Sequence, residues 1–240
     1  MTRQHTVFSG WMLAVAVAAV FMVLGSWQLQ RMHEKQHVLA QLPSASASMV
    51  TLAEAVRSPD ALHWIEDRLR FVPGTVLLDN QLREGRAGIK VYQAARAELG
   101  PAVLVDLGWL PLPADRALPP LSGQQGTHAL RGLWAPAPAA GIALGPALVP
   151  AKQPQTWLAT RIDLPAIAAQ LGLEQVPLAP RVLRLDPALP LGYARDLDLL
   201  PNTLPPSRHL GYAVQWFAMA LTVLLIATLL HVRRRLARKR

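Results

Sequence analysis

Two stretches of this chain are long, apolar and free of formal charge, while the sequence between them is broken into short runs. Residues 6–30 form 25 positions without an acid, lysine or arginine, and residues 210–230 form another 21. Each exceeds the roughly 20 residues an α-helix needs to cross bilayer hydrocarbon at about 1.5 Å per residue. Inside lipid the backbone has no water to bond, so such runs must be helical. The pattern predicts transmembrane helices over 10–30 and 209–231, short ends at 1–9 and 232–240, and one large domain over 31–208. An Ala-x-Ala signal, Ala45-Ser46-Ala47, is separated from Leu29 by 15 residues, so the first span is expected to be an uncleaved anchor.

Within 31–208 the apolar runs are punctuated by proline and glycine. Residues 71–78, 89–94 and 102–109 read as strands, the first ending in an Asp79-Asn80 turn, and 156–162 and 181–185 read as later ones. Asp163 can cap a short helix with Pro165 in its first turn, Ile167, Ala168 and Leu171 on one face, and Gly172 as its stop. Residues 41–49, 111–125, 136–155 and 187–206 read as connections, the third being too poor in β-branched residues for a strand. The expected class is membrane α+β: two transmembrane helices flanking one β-rich outer domain, mostly antiparallel, with a sheet that can curl toward a barrel.

Composition supports lipid contact, since only 16% of residues are charged against roughly 25% in ordinary soluble domains. The net charge of +9 first suggests a polyanionic partner. Its placement removes that reading: six of the last eight residues are basic, Arg3 adds another, and residues 4–208 carry a net of only +2. By the positive-inside rule both termini face the cytoplasm, and 31–208 lies on the periplasmic side of a cell inner membrane. The charge is an address, and no nucleic-acid partner is expected. The absence of cysteine excludes disulfides, thiolate metal sites and Cys nucleophiles, and makes a copper-carrying role a poor fit.

Two constellations carry candidate chemistry. His33-Glu34-Lys35-Gln36-His37 fits H-E-x-x-H, in which two imidazoles on one helical face bind zinc and the glutamate acts as base. A membrane-anchored zinc metalloprotease is therefore one reading; a solvated helical exit from the membrane, with Lys35 between the ligands, is the other. At the far end, a helix starting near Ser207 would place His209, Tyr212, Ala213 and Trp216 on one face. The first span mirrors it with Trp27, Gln28 and Arg31, and Gln215 lies about a turn and a half inside the second span. An interfacial aromatic belt accounts for the tryptophans and tyrosine. A haem pocket accounts for the same residues, with His209 on iron, aromatic rings beside the macrocycle, Gln28 and Gln215 joining the helices, and Arg31 or Arg208 on the propionates. There is no G-x-S-x-G and no phosphate-binding glycine loop, so nothing points to a hydrolytic triad or a nucleotide site.

Four blocks, taken in order, resemble the Surfeit-locus (SURF-one/Shy-one type) family of cytochrome c oxidase assembly proteins. Leu24-Gly25-Ser26-Trp27-Gln28-Leu29-Gln30-Arg31 with Lys35 is similar to the family's first-helix exit. Phe71-Val72-Pro73-Gly74 and Leu77-Leu78-Asp79-Asn80-Gln81 resemble its first outer strands, and Val103 through Pro111 its Gly-Trp strand. Leu200-Pro201-Asn202 through His209 to Phe217 resembles the start of its second helix. Leu107 stands where the family usually carries arginine, and the 74–77 segment is short. The resemblance implies a haem-copper oxidase assembly factor that binds haem a transiently through His209. It would assist haem insertion into, or retention by, the catalytic subunit. A cofactor-free, oxidase-binding scaffold is the alternative within the same family.

Overall fold

In the computed structural model the described residues are 2–40, 48–98, 100–121, 123–140, 145–197 and 204–237, with side chains from residue 8 onward. Helix α1 spans Thr2–Ala40 and so continues on both sides of the 10–30 segment expected to cross the membrane. The charged stretch after Gln30 stays helical because its side chains pair along the helix. Glu34 accepts from Gln30 at 3.2 Å and from Arg31 at 3.0 Å, at i,i+4 and i,i+3 spacing, and no proline occurs before Pro43.

Residues 41–47 of the first expected connection lie outside the described residues. Helix α2 (Leu52–Arg57) was not expected from the apolar pattern. It forms on a capping box, in which Thr51 N–H donates to the Glu54 carboxylate at 2.7 Å and Glu54 N–H donates to Thr51 Oγ1 at 3.3 Å.

Strand β1 is far longer than the expected 71–78, running His63–Arg83. The expected Asp79-Asn80 turn is instead an irregularity inside it: Asn80 has φ +56 and the pairing register shifts between Leu78 and Gln81. Asparagine tolerates that conformation, so the extra residue bends the strand without ending it. The chain reverses five residues later at Glu84-Gly85, both with positive φ, in the two-residue turn that matches strand twist. Strands β2 (Arg86–Arg96) and β3 (Ala102–Pro111) cover the expected 89–94 and 102–109.

Strand β4 (Thr127–Ala135) escaped sequence reading because His128, Arg131 and Gly132 interrupt its apolar positions. The 136–155 connection, expected to hold no strand, contains the three-residue β5 (Leu148–Pro150), paired to β6 (Thr156–Ala159). So short an edge strand needs little intrinsic propensity, because β6 supplies its partners. Helix α3 (Leu164–Gln170) has the expected Asp163 cap, which accepts from Ala166 N–H at 3.1 Å, and Gly172 follows it at φ +65. Strand β7 is Leu178–Leu185, and α4, the second long helix, is Pro206–Ala237.

The chain divides into two units, one of Met1–Ala40 with Thr203–Arg240 and one of Gln41–Asn202. In the second, seven strands bond in the order β2-β3-β7-β4-β1-β6-β5, with a further β1–β2 ladder. The β3–β7 and β1–β6 pairings are parallel and the others antiparallel, so the sheet is mixed. A second irregularity in β1, between Phe71 and Thr75, lies where its pairing passes from β4 (residues 63–70) to β2 and β6. Alternate residues feed two cores: Leu77, Val91, Val105 and Leu107 join one, and Val76, Leu78, Tyr92 and Leu104 the other. Burial on both faces explains why 102–109 reads as a continuous apolar run. Leu107 sits fully inside the larger core, where an arginine would have to be desolvated.

One polar cluster is enclosed in this unit. Asp106 accepts from Lys90 Nζ at 2.9 Å and from Gly108 N–H at 3.0 Å, with the Tyr92 hydroxyl at 3.4 Å. Burial, then the Asp106 charge, push the Tyr92 phenol well above the ordinary tyrosine value of about 10. A raised folded-state value contributes stability that is complete below pH 10 and is lost as pH climbs through the folded value. Tyr92 is therefore expected to stay un-ionised until the domain unfolds. An absorbance titration at 295 nm overlaid on circular dichroism checks this, and a Tyr92→Phe variant should remove only the late, unfolding-linked phase.

Candidate functional site

Both α1 and α4 are long and apolar enough to cross a membrane. They pack on one another along a seam that is visible in the spacing of their less exposed residues. On α1 these include Trp11, Ala14, Ala18, Phe21, Gly25, Gln28, Met32 and Lys35; on α4, His209, Ala213, Trp216, Ala220, Val223, Ala227 and His231. Steps of three and four average close to 3.5 residues, the repeat that keeps one stripe facing a partner helix. Small residues at Ala18, Gly25, Ala213 and Ala220 let the backbones approach. A Cβ placed on Gly25 would lie 2.5 Å from the Phe217 ring, so that position admits only glycine without rearrangement. The cross-helix contacts run antiparallel: Trp11 with His231, Phe21 with Trp216 at 5.6 Å between rings, Gln28 with His209, and Lys35 Nζ donating to the Leu204 carbonyl.

His209 lies one turn into α4, whose start is shaped by Pro205 and Pro206; the Pro205 carbonyl accepts the Arg208 N–H at 3.0 Å. The imidazole is only 7% exposed. Its Nδ1 is 2.7 Å from Gln28 Oε1, an oxygen that can only accept, so Nδ1 carries the proton and donates it. The ring's lone pair is then on Nε2, which is buried and has no hydrogen-bond partner among the described residues. A buried basic nitrogen left unpartnered and oriented through the other ring nitrogen is the arrangement of a metal-ligating histidine.

The other expected site residues divide by helix geometry. Trp216 is on the seam against Phe21, about 20° from His209 around α4. Tyr212 is 40% exposed, roughly 60° away on the flank of the seam. Gln215 is about 120° away and exposed, so of these two amides it is Gln28 that reaches His209. Trp27 and Arg31 form their own pair on the exposed side of α1, with the guanidinium 5.8 Å from the ring centroid. Arg31 also bonds Glu34, and Arg208 is exposed. Seam residues not singled out from the sequence include Trp11, Phe21, Met32, Phe217 and His231, together with the Gly25 contact; their signal is the three-four spacing running through both apolar stretches.

The H-E-x-x-H stretch lies on α1 with His33 and His37 exposed and Glu34 engaged by Arg31 and Gln30. Among the described residues no three metal-capable side chains group together.

No curated protein matches the sequence. The model of the SURF1 family matches residues 15–221, from the first third of α1, through all of the sheet, to the middle of α4. That stretch includes both halves of the His209–Gln28 pair. The chain belongs to the SURF1 family, a family of cytochrome oxidase assembly factors.

Proposed function

We propose that this protein is a non-enzymatic, two-span assembly factor of the inner membrane. It holds haem a transiently at the His209 end of its helix pair and assists its insertion into, or retention by, the catalytic subunit of a haem-copper oxidase. The observation that carries the reading is the buried Nε2 of His209, basic, unpartnered and oriented by Gln28. Haem brings an iron that takes such a nitrogen axially and two anionic propionates. The chain supplies the rest. Gln28 holds the Nδ1 proton and raises the basicity of Nε2. Trp216, Tyr212 and Trp27 give aromatic surface on both helices near that end, and Arg31 and Arg208 place guanidinium groups there for the propionates.

Reaching Nε2 requires the two helices to part slightly, because the atom is enclosed when they are packed. A site that forms by parting two helices and offers one strong ligand also releases its cargo, which suits a carrier. The charge placement supports both termini being cytoplasmic and Gln41–Asn202 periplasmic.

The direct test is the absorption spectrum of the full-length protein purified in detergent from a haem-a-producing host. A Soret band with substoichiometric to stoichiometric haem a is expected. Haem-free protein that still co-purifies with the oxidase would overturn the haem assignment and leave a scaffold.

A further inference from the structure

At the opposite end of the helix pair, residues of α1 and α4 line a groove of about 390 Å³, within the roughly 300–1,000 Å³ range of small-molecule sites. Its floor is apolar on both helices, with Ala14 and Val17 facing Val223, Ala227 and Leu230. From Gly10 to Val17 it extends roughly 10 Å along α1. Gly10 contributes open space, since a Cβ there would meet nothing within 4 Å.

The rim differs in kind from the floor. His231 and Arg234 lie three residues apart on one face of α4, and no acid lines the groove. Trp11 Nε1–H donates to His231 Nδ1 at 3.5 Å, with the rings edge-on at 6.2 Å. An indole can only donate, so Nδ1 accepts and the ring's remaining proton is on Nε2. His231 is thus a mirror of His209: one imidazole keeps a free lone pair, the other presents an N–H. With the Arg234 guanidinium beside it, the rim's polar side chains on α4 offer only donors and positive charge.

A donor-only cationic rim over a two-walled apolar floor fits one kind of occupant, an amphiphile with an anionic head and a hydrocarbon tail. We propose that this groove binds an anionic phospholipid, with the phosphate on Arg234 and His231 and an acyl chain between the helices. The inference rests on the proposed membrane reading and its orientation, in which this end meets the cytoplasmic leaflet. It is independent of haem, since its residues lie more than three helical turns from His209.

The test is native mass spectrometry of the full-length protein in detergent, titrated with phosphatidylglycerol or with phosphatidylcholine of identical chains. Retention of phosphatidylglycerol at least tenfold above phosphatidylcholine is expected. Arg234→Gln should abolish that preference, and Gly10→Phe, which fills the groove while improving helix propensity, should weaken retention of both lipids about tenfold. Equal retention of the two lipids by the unaltered protein, or unchanged retention in both variants, would overturn the proposal. Haem content read in the same samples separates the two sites: it should be unaltered by Gly10→Phe. Protein that stays soluble and monodisperse without detergent would overturn the membrane reading and this inference with it.

Discussion

Replacing His209 with alanine is expected to strip haem from the purified protein, lowering the Soret absorbance per polypeptide by at least about tenfold while helix content is retained. The substitution removes a buried basic nitrogen that has no hydrogen-bond partner among the described residues. A purely structural histidine would behave differently, because its loss would lower the melting temperature and leave the spectrum of surviving protein unchanged. Gln28 sharpens the distinction without touching the ligand. Gln28→Leu removes the acceptor that sets the tautomer, and loss of such an orienting partner costs roughly 10–100-fold in affinity at metal sites. Gln28→Glu keeps an acceptor at the same reach of Nδ1 and should restore binding, with the Soret maximum shifted by the more basic imidazole. Haem content is read by pyridine haemochrome on protein matched for monodispersity. An unshifted, undiminished Soret band in His209→Ala would remove His209 from the ligand role.

The second large effect lies in the sheet. Asp106→Leu is expected to destabilise the Gln41–Asn202 unit by about 3–5 kcal/mol, because it leaves the Lys90 ammonium enclosed without its carboxylate. The Lys90 and Asp106 side chains are only 13% and 6% exposed, so water cannot take over the pairing. Asp106 also receives the Gly108 N–H, so the backbone of the Gly-Trp strand loses a partner as well. Against a typical total of about 5–15 kcal/mol, that loss approaches unfolding. The paired change Lys90→Met with Asp106→Leu should recover most of it, since an ion pair replaced on both sides by apolar groups is often neutral. Urea denaturation of the full-length protein in detergent, followed by tryptophan fluorescence, measures both. Equal midpoints for Asp106→Leu and the unaltered protein would show that the cluster does not hold the sheet together.

These two regions differ in how far they could be read from the amino-acid order. The two spans, the Asp163-capped helix and the strands at 89–94 and 102–109 follow from local physics: uninterrupted apolarity, a capping side chain, and burial on both faces. Other features depend on partners distant in the chain. β4 has a broken apolar pattern and is held by β1 and β7 on either side, and β5 exists because β6 runs next to it. Asp79-Asn80 carries a turn's residues yet lies inside a strand, because β2 continues to pair beyond it through Arg83.

The same division holds at the helix pair. Which residues belong to the second-helix start was legible by type and spacing, and so was the family. Which of them meet was not. Gln28 and Gln215 look equivalent in sequence, as amides at comparable depth, but only Gln28 is on the seam that reaches His209. Two membrane-competent helices, a β-rich domain between them and a histidine at a helix end follow from the amino-acid order alone, since each is set by neighbours within a few residues. The tautomers come from the packed helices alone: His209 donates from Nδ1 to Gln28 and keeps its lone pair on Nε2, whereas His231 accepts at Nδ1 from Trp11 and keeps its proton on Nε2, because a tautomer is fixed by the partner across the interface, 181 residues away for one ring and 220 for the other.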